Sequence, residues 1–179
     1  MKSNPRLERG DTAQVGLAIA IDDDSATLYA EYGVPIELAD DHPFVIAEHA
    51  AWAEAAAAGR LVFAFDPALD ATPVAFATLG FLDGEAYLDQ LSVRRVAMRR
   101  GLGSALLDHA LAWARTEGSP ALWLTTYSHL PFNRPFYERA GFALVPPPHR
   151  PELAEVLSEQ RDVLPDPEQR VAMRRLLES

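Results

Sequence analysis

Residues 91–107 read LSVRRVAMRRGLGSALL: an apolar strand end, an arginine-rich turn with two close glycines, then apolar residues at helical spacing. A strand stopping at Val93, a turn needing Gly101 and Gly103, and a helix opening near Ser104 leave several backbone N–H groups without intrahelical acceptors. The helix dipole adds partial positive charge there, and Arg94, Arg95, Arg99 and Arg100 add full charges, which suits a small anion such as a pyrophosphate. The competing reading is a solvated charged turn. A dinucleotide fingerprint would need a third glycine where Leu106 stands and an acidic residue near Trp123, and both are missing. A Walker-type loop needs Gly-Lys-Ser/Thr, but the single lysine is Lys2.

The chain as a whole is acidic. Its formal net charge is −10, so a polyanion would meet a repelling field over most of the surface, and nucleic acid is not an expected partner. Against that background the arginine cluster points to a small anionic ligand. Cysteine is absent, which excludes disulfides, a thiol nucleophile and thiolate-held zinc. No metal site is expected: Asp22, Asp23 and Asp24 are consecutive, lack the spacing of a calcium loop, and read as solvated surface. The N-terminus has no signal-peptide core and no window approaches a membrane span, so the chain reads as one cytoplasmic domain over residues 1–179.

Working outward from the glycine turn, Asp83-Gly84 is a two-residue hairpin signal. It joins a strand over 74–82 to one over 86–93 running back antiparallel. On the second strand Tyr87, Asp89, Leu91 and Val93 share one face, and Leu88, Gln90 and Ser92 the other. Further upstream, the pattern predicts a helix over 13–20 capped at Asp11-Thr12, a loop over 29–43, an alanine-rich helix over 44–58 stopped by Gly59, and a strand over 61–65. His49 and Trp52 read as packing residues.

Downstream, Leu102, Leu106, Leu107, Ala110, Leu111 and Ala114 make an amphipathic helix ending near Gly118, with His109 on it. The apolar strand ALWLTTY over 121–127 follows, in parallel with 86–93 through the helical crossover. A short helix over 131–140 carries Pro135 in its first turn and is capped by Gly141. A strand over 142–145, a helix over 151–163 and a strand over 169–177 complete a mixed α/β reading.

The glycine turn taken with PFNRPFYERAGF over 131–142 resembles the GCN5-related N-acetyltransferase (GNAT) family, and the likeness covers residues 86–142 well. That family reads Arg/Gln-x-x-Gly-x-Gly/Ala at the turn. Here Met98, Arg99, Arg100, Gly101, Leu102 and Gly103 occupy it, with methionine where arginine or glutamine is usual. The resemblance implies the acyl-CoA N-acyltransferase fold, a mostly antiparallel sheet with a splayed parallel strand pair and flanking helices. It also implies acetyl-CoA as co-substrate. Its pyrophosphate would lie on Met98 to Ser104 and its acyl arm along Leu91, Ser92 and Val93, where a backbone N–H polarises the carbonyl. Phe136 and Tyr137 precede Gly141-Phe142 as the family's aromatic segment does. Tyr137 is thereby implied as the acid that protonates the departing thiolate, the competing role being packing. Asn133, four residues before Tyr137, is carried over as a pantetheine contact, although the family's asparagine commonly stands seven before.

Direct attack by an amine needs a base. Asp89 is the candidate on the strand face the family uses, with a burial-raised pKa or a water relay required of it. His129, in the loop past the second strand, is the alternative. Acetyl transfer to a small-molecule or protein amine is therefore expected. An acyl-CoA-binding sensor and a plain interaction domain stand as other readings. Acceptor choice falls to residues 29–44 and the region after Val145 with His149 and Arg150. The 151–163 helix serves as a lid or a homodimer surface.

Overall fold

The computed structural model describes residues 4–69 and 71–178. In chain order the elements are β1 (Arg6–Arg9), α1 (Val15–Glu31), α2 (Pro43–Ala57), β2 (Leu61–Phe65), β3 (Ala75–Leu82), β4 (Glu85–Val93), α3 (Leu102–Thr116), β5 (Ala121–Tyr127), α4 (Arg134–Arg139), β6 (Ala143–Val145), α5 (Pro151–Val163) and β7 (Arg170–Leu176). The strands follow the order β1-β2-β3-β4-β5-β7-β6. The β4–β5 pair is parallel, with Ala86 opposite Leu122 and Tyr87 opposite Trp123. The chain gathers into two compact units, Met1–Gly80 with Asp89–Ala110, and Phe81–Leu88 with Leu111–Ser179.

In the first unit Asp11 caps a single 3-10 turn, its carboxylate accepting from Ala13 N–H while Gln14 accepts from Asp11 N–H. Helix α1 then runs to Glu31, eleven residues past the expected end at Ala20, and takes in Tyr29 to Glu31, which had read as loop. The extension is physically reasonable, because nothing between Ile21 and Glu31 is a helix breaker and the next glycine, Gly33, is left-handed. Helix α2 begins at Pro43 with His42 Nδ1 accepting from Phe44 N–H, a cap formed by an imidazole. Ala18, Ile21, Trp52, Ala56, Leu61, Phe63, Phe65 and Phe76 form this unit's apolar core. Trp52 is fully buried, edge-on to Phe76 and 5.1 Å from the His49 ring, so both residues pack as expected.

In the second unit β5 pairs antiparallel with β7 along its whole length, and β6 pairs with the other side of β7. Residues 170–176 are therefore a strand, as their alternation predicts. The short helix begins at Arg134 rather than Pro131, since Pro135 fits only the first turn and the three residues before Arg134 are turn. Leu153, Leu157 and Ala172 pack with Leu82 and Trp123 under α5.

The turn at Asp83 and Gly84 has φ of 53° and 79°, the left-handed pair of a two-residue hairpin. Counting outward from such a turn sets Thr78 opposite Asp89, and Thr78 Oγ1 does donate to Asp89 Oδ2, at 3.3 Å. The same count would set Val93 opposite Val74, yet it is Arg94 N–H that donates to Val74 O, at 2.8 Å. Between Asp89 and Arg94, then, β4 takes up one extra residue, a bulge.

Candidate functional site

The two faces of β4 carry two different carboxylate environments. On one face stands Asp89, opposite Thr78, whose hydroxyl lies wholly inside the protein. Asp89 itself keeps contact with solvent. Surrounding protein nevertheless desolvates it and pushes its pKa up to about 6, with the Thr78 hydrogen bond pulling the other way. A carboxylate that water reaches and protein surrounds is half protonated close to neutral pH, the range in which a group can both accept and release a proton.

On the other face Ser92 Oγ–H donates to Asp22 Oδ1 at 2.7 Å, and Gln90 Nε2 donates to the same oxygen at 3.0 Å. Burial raises the Asp22 pKa, the Ser92 hydrogen bond opposing it and Asp23 adding to it. Two residues on, Asp24 accepts from Arg95 N–H at 2.8 Å, and the Arg95 guanidinium reaches Thr27 and Glu31. The aspartate triplet is thus not simply solvated surface. Through these bonds its first and third members fasten the end of β4 and the loop after it to α1.

That loop is the glycine turn. Arg99 and Gly101 are left-handed, with φ of 62° and 86°. Such backbone reversals turn successive N–H groups to one side, and the first intrahelical bond of α3 is donated by Ala105 to Gly101 O. A Cβ on Gly101 would meet nothing within 4 Å, so the glycine is required by its φ and leaves room over the loop. These residues fit a diphosphate group. Of the four arginines, Arg95 is paired with Glu31, and Arg100 is paired with Asp66, which lies at the end of β2 and is itself nearly buried. The Arg100 guanidinium holds the Asp66 carboxyl below the usual carboxylate range. Arg94, Arg99 and the backbone amides carry the remaining positive potential. Leu91 and Val93 are partly buried at the bulged end of β4, Ser92 is buried, Met98 is partly buried, and in the first turn of α3 Leu102 is buried, Gly103 partly buried and Ser104 exposed.

In the second unit, Tyr137 is half-buried on α4, edge-on to Phe136 at 5.1 Å and to Phe142 at 5.8 Å. Pro135 in the first turn and left-handed Gly141 after the last fix the short helix that carries it. Asn133 is buried immediately before that helix without a side-chain capping bond to it. His129 lies past β5, its Nε2 3.1 Å from Asp166 Oδ2 and its ring edge-on to Tyr127. Asp166 occupies a left-handed conformation, φ 51°. His109 is exposed on α3, with its pKa lowered by desolvation and by Arg9. His149 bonds the Val145 carbonyl, and Arg150 pairs with Glu85. Among the described residues no cluster of His, Asp and Glu has the geometry to hold a metal ion, and no helix is long and apolar enough to cross a membrane.

Sequence reasoning missed Thr78, Asp22 and Asp166. Thr78 was readable by counting from the hairpin turn. Asp22 and Asp166 carried no local signal, since their partners lie 70 and 37 residues away.

A mixed sheet with one parallel pair, flanked by helices, is an architecture shared with acetyltransferases in solved structures. Rv2747 of Mycobacterium tuberculosis, solved with CoA, superposes with a TM-score of 0.66 at 17% identity over 97% of this chain and 99% of its own. The PaiA N-acetyltransferase of Thermoplasma acidophilum, solved with coenzyme A, gives 0.65 at 14% identity, covering 98% and 100%. The ribosomal-protein-S18-alanine N-acetyltransferase of Escherichia coli gives 0.65 at 17% identity, covering 98% and 96%. At those identities the likeness establishes the fold. The model of the acetyltransferase (GNAT) family matches residues 24–142, and the chain belongs to that family. Membership carries the general reading, acyl transfer from an acyl-CoA.

Proposed function

We propose that this chain, acting as one domain over residues 1–179, is an N-acetyltransferase that moves an acetyl group from acetyl-CoA to a primary amine by direct attack. The single observation that carries the reading furthest is the left-handed turn at Arg99 and Gly101 that follows β4 in a chain of this family; on the strand before it stands Asp89, an exposed carboxylate whose pKa is pushed up to about 6. An aspartate at its ordinary value is a poor acceptor for an ammonium proton, and this shift removes roughly two powers of ten of that mismatch. In the proposed mechanism Asp89, directly or through water, takes the proton of the incoming amine. An N–H among Leu91 to Val93 polarises the thioester carbonyl, and the bulge supports this, because an extra residue leaves ladder groups unpaired. The pyrophosphate rests on the amides of Arg99 to Ser104, with Met98 alongside, and Asn133 and Phe136 contact the pantetheine arm. Tyr137 gives its phenolic proton to the departing thiolate. No cysteinyl acyl-enzyme can form, since the chain has no cysteine.

The acceptor is an amine on a small molecule or a protein, as the S18-alanine and nourseothricin acetyltransferases among the similar structures are named for. The protein is proposed to work in the cytoplasm, where acetyl-CoA and free amines meet. Calorimetry with acetyl-CoA followed by a thiol-release screen over amines and peptide N-termini tests the proposal. Binding with turnover of at least one amine is expected. Binding with no turnover anywhere would favour an acyl-CoA sensor, and no binding would reduce the chain to an interaction domain. With an amine in hand, Tyr137→Phe is expected to lower kcat by about tenfold to a hundredfold, most strongly where thiolate protonation limits the rate. An unchanged pH–rate profile would take Tyr137 out of the acid role.

A further inference from the structure

We propose that a cavity in the second unit, beside the β3–β4 turn, binds a small carboxylate carried on a flat apolar body. The cavity measures about 210 Å³ and is lined by Leu82, Trp123, Val145 and Leu153 together with Arg150 and Arg174. That volume is below the roughly 300 Å³ at which drug-sized ligands begin, so the ligand is about one ring in size.

Its walls are pre-set by polar contacts. Glu85, only 14% exposed, accepts the Trp123 indole N–H at 2.6 Å with one carboxylate oxygen and the Arg150 guanidinium at 2.8 Å with the other. The indole is thereby locked in plane. Asp83 accepts from the N–H groups of Glu152 and Leu153 at 3.0 and 3.1 Å, and the Glu152 carboxylate accepts from Asp83 N–H in return. This reciprocal cap ties the hairpin turn to the first turn of α5. Both carboxylates of the cavity are therefore spent, Glu85 on Arg150 and Asp83 on the helix end.

Arg174 is the exception. Its guanidinium lies 5.3 Å from the Trp123 ring centroid, and among the described residues no carboxylate pairs with it. A guanidinium stacked on an indole still presents N–H groups at its edge, in the fork that matches a carboxylate. Arg174 also lines a neighbouring groove with Arg115, Arg175 and one carboxylate, Glu178, so an anion meets a surface with a local excess of positive charge on a protein of net charge −10. Carboxylate to Arg174, ring against Trp123 and Leu153 is the arrangement these groups favour. None of the residues proposed above for holding the cofactor or moving a proton lines it, whereas His149 and Arg150, expected from sequence to bear on acceptor choice, do.

Titration of the full-length ¹⁵N-labelled protein with phenylacetate and with its neutral analogue phenylacetamide tests the site. The reporter is the indole N–H resonance of Trp123, assigned with Trp123→Phe. Phenylacetate is expected to shift it saturably, and phenylacetamide to bind at least tenfold more weakly. Arg174→Gln should weaken phenylacetate at least tenfold and Val145→Phe should close the cavity to it, while Arg115→Gln, in the groove alone, should leave the affinity within twofold. Equal binding of the two ligands, or equal losses in the Arg115 and Arg174 variants, would overturn the carboxylate assignment. No saturable shift with either ligand would overturn the site.

Discussion

Strand β4 separates two aspartates that share a desolvated setting and differ in how they are held. Asp22 has one carboxylate oxygen taken by both Ser92 and Gln90, and although burial still raises its pKa, its work is to fasten α1 to the strand. Asp89 has the Thr78 hydroxyl at 3.3 Å and open access to solvent, and its pKa stands at about 6. The difference teaches where a carboxylate becomes useful chemically. Desolvation raises both carboxyls; the one with an oxygen taken by neighbouring side chains is spent on structure, whereas the one open to solvent can exchange its proton with an incoming group.

The strongest way to break the comparison is Asp89→Asn. If Asp89 is the base, the rate should fall by about 10² to 10⁴ and the acidic limb of the pH–rate profile near pH 6 should vanish. Stability should move the opposite way. The folded-state pKa is raised above the ordinary 3.8, so the native state binds the proton more tightly and stability falls as pH rises from about 4 through about 6. Thermal melts of the variant should lack that fall and lie above wild type at pH 7.5. A variant as active as wild type would transfer the base role to His129, whose imidazole is bonded to Asp166.

Asp22→Ala is expected to act on stability alone. It leaves the buried Ser92 hydroxyl and the Gln90 amide short of an acceptor, at a cost of about 1–3 kcal/mol, partly offset because a desolvated charge is removed with it. A net loss of about 1 kcal/mol would lower Tm by about 2–4 °C. A displaced pH–rate profile in this variant would show that the two faces of β4 are not independent.

Thr78→Val is the smallest and sharpens the comparison most. Loss of the hydroxyl removes the one hydrogen bond that lowers the Asp89 pKa, so the acidic limb should shift to higher pH and the rate at pH 6 should drop about two- to threefold. The substitution keeps the side-chain shape at a fully buried position, so kcat on the plateau should be nearly unchanged.

Much of this was readable before any coordinates, and the readable part has a common cause. The glycine turn, the two-residue hairpin at Asp83-Gly84, the crossover from β4 through α3 to β5 and the Pro135-to-Gly141 helix are set by φ requirements and by apolar period, which are local. Turn geometry also carries register, so the meeting of Thr78 with Asp89 was already implicit in the count from the turn. The use of the arginines was not. Four cations in one turn look alike in sequence, yet Arg95 is held by Glu31 and Arg100 by Asp66, carboxylates 64 and 34 residues away.

The same holds for the aspartates. Sequence alone determined that Asp89 shares a strand face with Tyr87 and Leu91, and that a glycine turn suited to an anion follows the strand. Only the tertiary structure decided that α1 extends far enough for Asp22 and Asp24 to reach β4 and its loop, that β4 takes up an extra residue before Arg94, and that Asp89 is desolvated while water still reaches it. Backbone conformation is fixed by a residue and its near neighbours. A carboxylate's protonation is fixed by everything packed within a few ångströms of it, and that is a property of the fold.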